Sequence, residues 1–94
     1  MYTLIGVAGD PMGDGLTIGI SGGDGADNQE YPSGVMHVSP ATLVFGYQGI
    51  GERGAVKTST DGYKVVYFSF GFEAINTQAD RTEVMSRVLD WLVE

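Results

Sequence analysis

Apolar residues form short runs over the first two thirds of this chain and adopt helical spacing only near its end. Residues 2–8 predict a first strand, and Leu16 to Ile20 a second, short one in which apolar residues alternate with small ones. Between them, Gly9-Asp10-Pro11-Met12-Gly13-Asp14-Gly15 carries the turn signals Asp-Pro and Asp-Gly. Ser21 to Pro32 reads as a polar, acidic loop. Val35 to Val38 predicts a brief strand that Ser39-Pro40 ends. Thr42 to Tyr47, Ala55 to Thr58 and Tyr63 to Phe70 predict three more, separated by the glycine-rich turn 49–54 and by Asp61-Gly62.

One helix is predicted, over Gln78 to Leu92. Val84, Met85, Val88, Leu89 and Leu92 recur at its spacing and form one apolar face. Thr77 and Asp80 are both suited to the N-cap, since Asp80 and Glu83 have capping-box spacing and both acids favour the positive end of the helix dipole. Trp91 falls at the margin of the apolar face, where its ring packs and its indole N–H stays near water. The fold class expected is α+β: five or six short strands packed on one C-terminal helix.

The last strand poses a packing problem. Val65, Val66, Tyr67, Phe68 and Phe70 are apolar on both alternating faces, the pattern of a strand covered on both sides in the middle of an α/β sheet. One helix covers one face. The other calls for the earlier strands, a second copy of the chain in a homodimer, or a segment outside this sequence. Residues 1–94 are accordingly read as a single domain or as an excised part of a larger one.

Composition narrows the function classes. A chain of 94 residues buries only about 60–65% of the surface its unfolded form exposes, so its stability margin is small. Of its 15 glycines nearly all lie at or before Gly54, which favours tight turns and short strands there over helices. The net charge of −7, with five basic residues spread along the chain, is unsuited to nucleic acid and to anionic membrane surfaces. Apolar runs are too short to span a bilayer, so no membrane insertion is expected. The opening Met-Tyr-Thr-Leu-Ile-Gly lacks the basic region of a secretory leader. The absence of Cys removes disulfides, thiolate metal sites and a Cys nucleophile.

Three segments carry a family resemblance: Val7-Ala8-Gly9-Asp10-Pro11, the run from Tyr63 to Ile75, and Arg87-Val88-Leu89-Asp90-Trp91-Leu92. Together they resemble the C-terminal portion of degenerate class I glutamine amidotransferase-like domains, which are flavodoxin-like and occur in large secreted or surface multidomain proteins of bacteria and archaea. The resemblance implies the C-terminal half of an α/β domain, an extracellular or cell-surface location, and other domains of a parent protein as partners. Active members end the corresponding strand in Gln-Phe-His-Pro-Glu, whose His and Glu complete a triad with a Cys. Here Ser69-Phe70-Gly71-Phe72-Glu73 stands in that place. Glu73 matches the Glu, Gly71 replaces the His, and no Cys is present, so the resemblance implies the fold without the activity.

The candidate residues each have a chemical and a structural reading. Glu73 is either a pocket carboxylate or an acceptor of backbone N–H bonds that fixes the turn; a lone acid without base or metal does little chemistry. Paired with Asp10 it would serve a carboxylate-dependent hydrolase, which needs its two carboxylates about 5–9.5 Å apart. Phe72, just past the strand, is the aromatic most suited to reach the surface, and with the other tyrosines and phenylalanines would make a sugar-stacking platform if they are not core. In the acidic loop, Asp24, Asp27, Asn28 and Glu30 offer oxygen ligands of the kind Ca²⁺ prefers. Gly22, Gly23, Gly25 and Asp27 fit one copy of a Gly-Gly-x-Gly-x-Asp repeat, although such repeats work by stacking and Gln29 stands where an apolar residue belongs. Asp10 and Asp14 would approach this loop if the first two strands pair. His37, the sole His, has Ser33 and Ser39 near it in sequence, and Ser69 lacks a nucleophile-elbow context. The expectation is a non-catalytic structural or binding module of a larger surface protein, with no cofactor. The alternatives are a calcium- or carbohydrate-binding module and a hydrolase.

Overall fold

The computed structural model describes residues 2–28, 34, 40–49 and 52–94. Five strands, β1 (Thr3–Gly6), β2 (Thr17–Gly19), β3 (Thr42–Tyr47), β4 (Arg53–Ser59) and β5 (Lys64–Phe68), are followed by a 3₁₀ turn at Phe72–Ala74 and one α-helix, α1 (Gln78–Val93). Their order in the sheet is β2-β1-β3-β4-β5, every pairing is antiparallel, and the sheet curls into a half-barrel. The α+β class with one C-terminal helix is therefore as the sequence pattern implies. The strand expected over Val35–Val38 lies outside the described residues.

Short strands suffice because the core is assembled from many elements. Leu4 and Ile18 face each other across β1 and β2, and Val44, Phe45, Tyr47 and Ala55 come from β3 and β4. Met12, Ile20, Phe70, Ala74 and Ile75 join them from the connections, and Val84, Val88 and Trp91 from the helix. The β3–β4 register is irregular around Val44 and Phe45, and both of these consecutive residues are buried. Gly6 and Gly13 are close-approach positions: a Cβ at either would run into backbone, of Gly13 and of Val44 respectively, so the 9–15 connection lies directly against β1 and β3.

The helix starts where the capping chemistry places it. Thr77, in extended conformation, accepts the Asp80 amide through its side chain at 3.1 Å, so Thr77 and not Asp80 is the N-cap. At the other end Lys64 Nζ donates to the carbonyls of Trp91 (2.8 Å) and Glu94 (3.0 Å), placing a cation on the negative end of the helix dipole. The same ammonium stands 5.0 Å from the centre of the Trp91 ring.

Two expectations about burial are corrected. The strand with the pattern of a sheet's middle stands, among the described residues, at its edge: β5 pairs there with β4 alone, and Tyr63, Val65 and Tyr67 are exposed. The helix buries Val84, Val88 and Trp91, whereas Met85, Leu89 and Leu92 are exposed. The buried stripe is rotated toward Trp91 because the 9–15 connection draws in the Arg87 side of the helix. Arg87 Nη1 donates to the Asp14 carbonyl at 2.7 Å.

The rotation gives a direct stability contrast. Val84→Ala should cost about 2 kcal/mol in urea denaturation, Leu89→Ala should stay within about 0.5 kcal/mol, and Thr77→Ala should cost about 1 kcal/mol. Equal losses at positions 84 and 89 would contradict the rotated stripe.

Candidate functional site

Asp10 is the one buried charged residue among the described residues whose whole side chain is withdrawn from water. It follows β1 in the turn-rich connection, and its surroundings account for its burial. Oδ2 accepts the amides of Met12 (2.9 Å) and Gly13 (3.0 Å), and Oδ1 is ion-paired with Lys57 Nζ. Burying a carboxylate without such partners would be prohibitive. Asp14 extends the knot: its amide donates to the Asp10 carbonyl (3.0 Å), and its carboxylate accepts the Gly9 amide (2.8 Å). Lys57 projects from β4, and its burial lowers its pKa from the ordinary lysine value. With two amides and an ammonium on it, the Asp10 carboxylate is engaged in holding the chain together, an arrangement unlike that of a general base free to take a substrate proton.

Glu73 sits elsewhere, in the 3₁₀ turn, with an exposed side chain. Its backbone carbonyl ties the turn to the acidic loop, accepting the Ala26 amide at 2.9 Å. The carboxylate lies over Gly71, in the space a Cβ at that position would take. Glu73 is thus open to water, while Asp10 is buried beside Lys57. Ser69 Oγ donates to the Gly54 carbonyl (3.0 Å) and lies 3.4 Å from Tyr47 Oη. Burial raises the Tyr47 pKa, Ser69 acting in the opposite sense and the nearby Glu52 in the same sense.

The acidic loop is likewise occupied by its own structure. Asp24 is paired with Arg81 at 2.9 Å, and Asp27, in left-handed conformation at φ 53°, accepts the Gly22 amide at 2.8 Å. Asp24 also donates its amide to Asn76, so the loop is laid along 73–76, away from the turn that holds Asp10. Asn28 is exposed. Among the described residues no group of three His, Cys, Asp or Glu side chains is gathered to hold a metal. Glu30, His37, Ser33 and Ser39 lie outside the described residues.

Phe72 is half-buried. Its ring meets Phe68 edge-on at 6.0 Å and helps line an open groove of about 530 Å³ with Met85, Leu89 and the Arg81 side of α1. The residues that sequence reasoning missed are the cations. Lys57, Lys64, Arg81 and Arg87 each tie one segment to another distant in sequence. A signal for Lys57 existed, since a lone charge within Gly54-Ala55-Val56-Lys57 implies a buried partner. Nothing local names that partner, which lies 47 residues away.

No helix among the described residues is long and apolar enough to cross a membrane. The chain matches no family model, and no curated protein or solved structure matches it significantly.

Removing one member of the buried pair isolates its cost. Lys57→Met alone, which strands the carboxylate, should destabilise by about 3–5 kcal/mol. Asp10→Asn with Lys57→Met, which keeps an acceptor for the two amides, should recover most of that loss in the same denaturation assay. In a Ca²⁺ titration followed by NMR, the amides of Asp24, Asp27 and Asn28 should stay in place at millimolar ion. Saturable shifts confined to them would restore the metal reading.

Proposed function

We propose that this chain is a non-catalytic structural or binding module that works by packing against protein, as part of a larger extracellular or surface protein. The observation that carries this reading is the contrast between its polar and apolar groups. The buried carboxylate is engaged with Lys57 and two amides. Large apolar side chains meanwhile stand on the outside, with Tyr63, Val65 and Tyr67 along β5 and Met85, Leu89, Leu92 and Val93 on the helix. Where such side chains adjoin, they offer surface for contact with protein.

The surface location and the parent protein rest on the sequence resemblance to degenerate amidotransferase-like domains. The antiparallel sheet of the described residues would be the C-terminal part of such a domain, with the parallel strands of a flavodoxin-like core belonging to other parts of the parent. Gly71 at the His position agrees with a non-catalytic role, because the site then has no imidazole for Glu73 to orient.

The test is a turnover screen with chromogenic glycosides and esters. The expected result is no hydrolysis above buffer, unchanged in Glu73→Gln and Asp10→Asn. Turnover in the native chain that either substitution abolishes, with the fold intact by circular dichroism, would overturn the reading.

A further inference from the structure

The open edge of β5 offers the most specific surface on the molecule. The Ser69 amide donates to Gly54 at 2.9 Å and the Thr60 amide to Tyr63 at 2.8 Å. Odd-numbered residues of this strand therefore bond to β4, and alternation turns the N–H and C=O groups of Lys64, Val66 and Phe68 outward. Among the described residues nothing pairs with that edge. Exposed strand edges are usually blunted by Pro, a bulge or a charge. β5 has no Pro, its register with β4 is regular, and its one charge, Lys64, is folded back onto the end of α1.

The occupant is indicated by self-complementarity. An antiparallel pairing of β5 with another β5 about a two-fold axis at Val66 sets 64 against 68, 66 against 66 and 68 against 64. These are the outward-facing positions, and together they form about six backbone hydrogen bonds. It also sets each exposed Val65 against the exposed Tyr67 of the other copy, a favourable β-branched–aromatic pair at the closer, non-hydrogen-bonded spacing. Lys57 is paired with Asp10 and Lys64 is turned onto the end of α1, so neither charge stands on the outer edge where two copies would meet.

The helix adds area to this seam. α1 packs over β5, with Arg87 turned toward the 9–15 connection. Met85 and Leu89 line a groove with Phe72, which itself touches Phe68 of β5, and Leu92 continues this flank at helical spacing. A two-fold axis through a strand pair leaves both helices on one face of the joined sheet, so these flanks approach each other. A strand edge alone is small against the roughly 1,200 Å² of a stable interface, and the flanks enlarge it with apolar surface.

We propose that this chain forms a symmetric dimer through antiparallel β5–β5 pairing, which joins two five-stranded sheets into one and lets the Met85–Leu89–Leu92 flanks of the helices meet. The proposal rests on the reading of the chain as a packing module and names its partner as a second copy.

Sedimentation from about 1 to 500 μM should show a monomer–dimer equilibrium, tightening as salt rises from about 20 to 300 mM because the net negative charges are screened. Val65→Lys with Tyr67→Lys should weaken it about tenfold or more while leaving the circular dichroism and melting temperature close to native. In this Cys-free chain, Val66→Cys should cross-link as a dimer when diamide is added as oxidant, whereas Ser59→Cys, away from the seam, should not. A monomer at every concentration, a dimer indifferent to the two lysines, or open-ended oligomers would overturn the proposal. The turnover screen separates the two readings. A monomer without turnover removes the dimer alone, and turnover requiring Glu73 or Asp10 removes the module reading whatever the oligomeric state.

Discussion

The buried ion pair between Asp10 and Lys57 is the interaction on which the arrangement of this fold depends. Asp10 belongs to the connection after β1, and Lys57 to β4 on the far side of β3. Their contact draws the connection over the sheet, where Met12 enters the core. Arg87 then holds the same connection from the helix through the Asp14 carbonyl. Sheet, connection and helix are thus joined at one place. An ion pair out of water adds little net stability compared with an apolar replacement. What it imposes is position, because neither charge tolerates separation once buried.

That position has consequences at the surface. With the Arg87 side of α1 turned inward, the helix buries Val84, Val88 and Trp91 and leaves Met85, Leu89 and Leu92 outside. Lys64 reaches the last carbonyls of the helix and so leaves the β5 edge without its charge. The exposure of apolar side chains on the helix flank and the uncharged edge of β5 accompany the same cation contacts that hold the fold together. Polar groups inside and apolar groups outside are two results of one packing solution.

Much of the local structure was legible in the sequence. Thr42–Tyr47 was bounded as found, Asp61-Gly62 turned β4 into β5, and the terminal helix began at Gln78 as its cap chemistry implies. These features depend on neighbours a few residues apart. The apolar face of the helix was not legible, because Val84, Met85, Val88, Leu89 and Leu92 offer a stripe as good as the one containing Trp91. Contacts from far along the chain select between them, among them that of Arg87 with a turn more than seventy residues earlier and that of Lys64 with Trp91. For the candidate site, Asp10 and Glu73 stood out as acids in turns. Their different fates depended on Lys57 and on exposure, which spacing does not encode.

By itself the sequence determined that this chain makes short strands and one capped helix, because alternation, turn residues and N-caps act within a few residues. It also established that no thiol chemistry is open to the chain, since there is no Cys. The tertiary structure alone decided that the doubly apolar strand is an edge among the described strands, since hydrophobic patterning reports how much surface wants cover and not which neighbour supplies it. It alone decided that Asp10 is a structural anchor, since burial of a charge depends on a partner brought from 47 residues away.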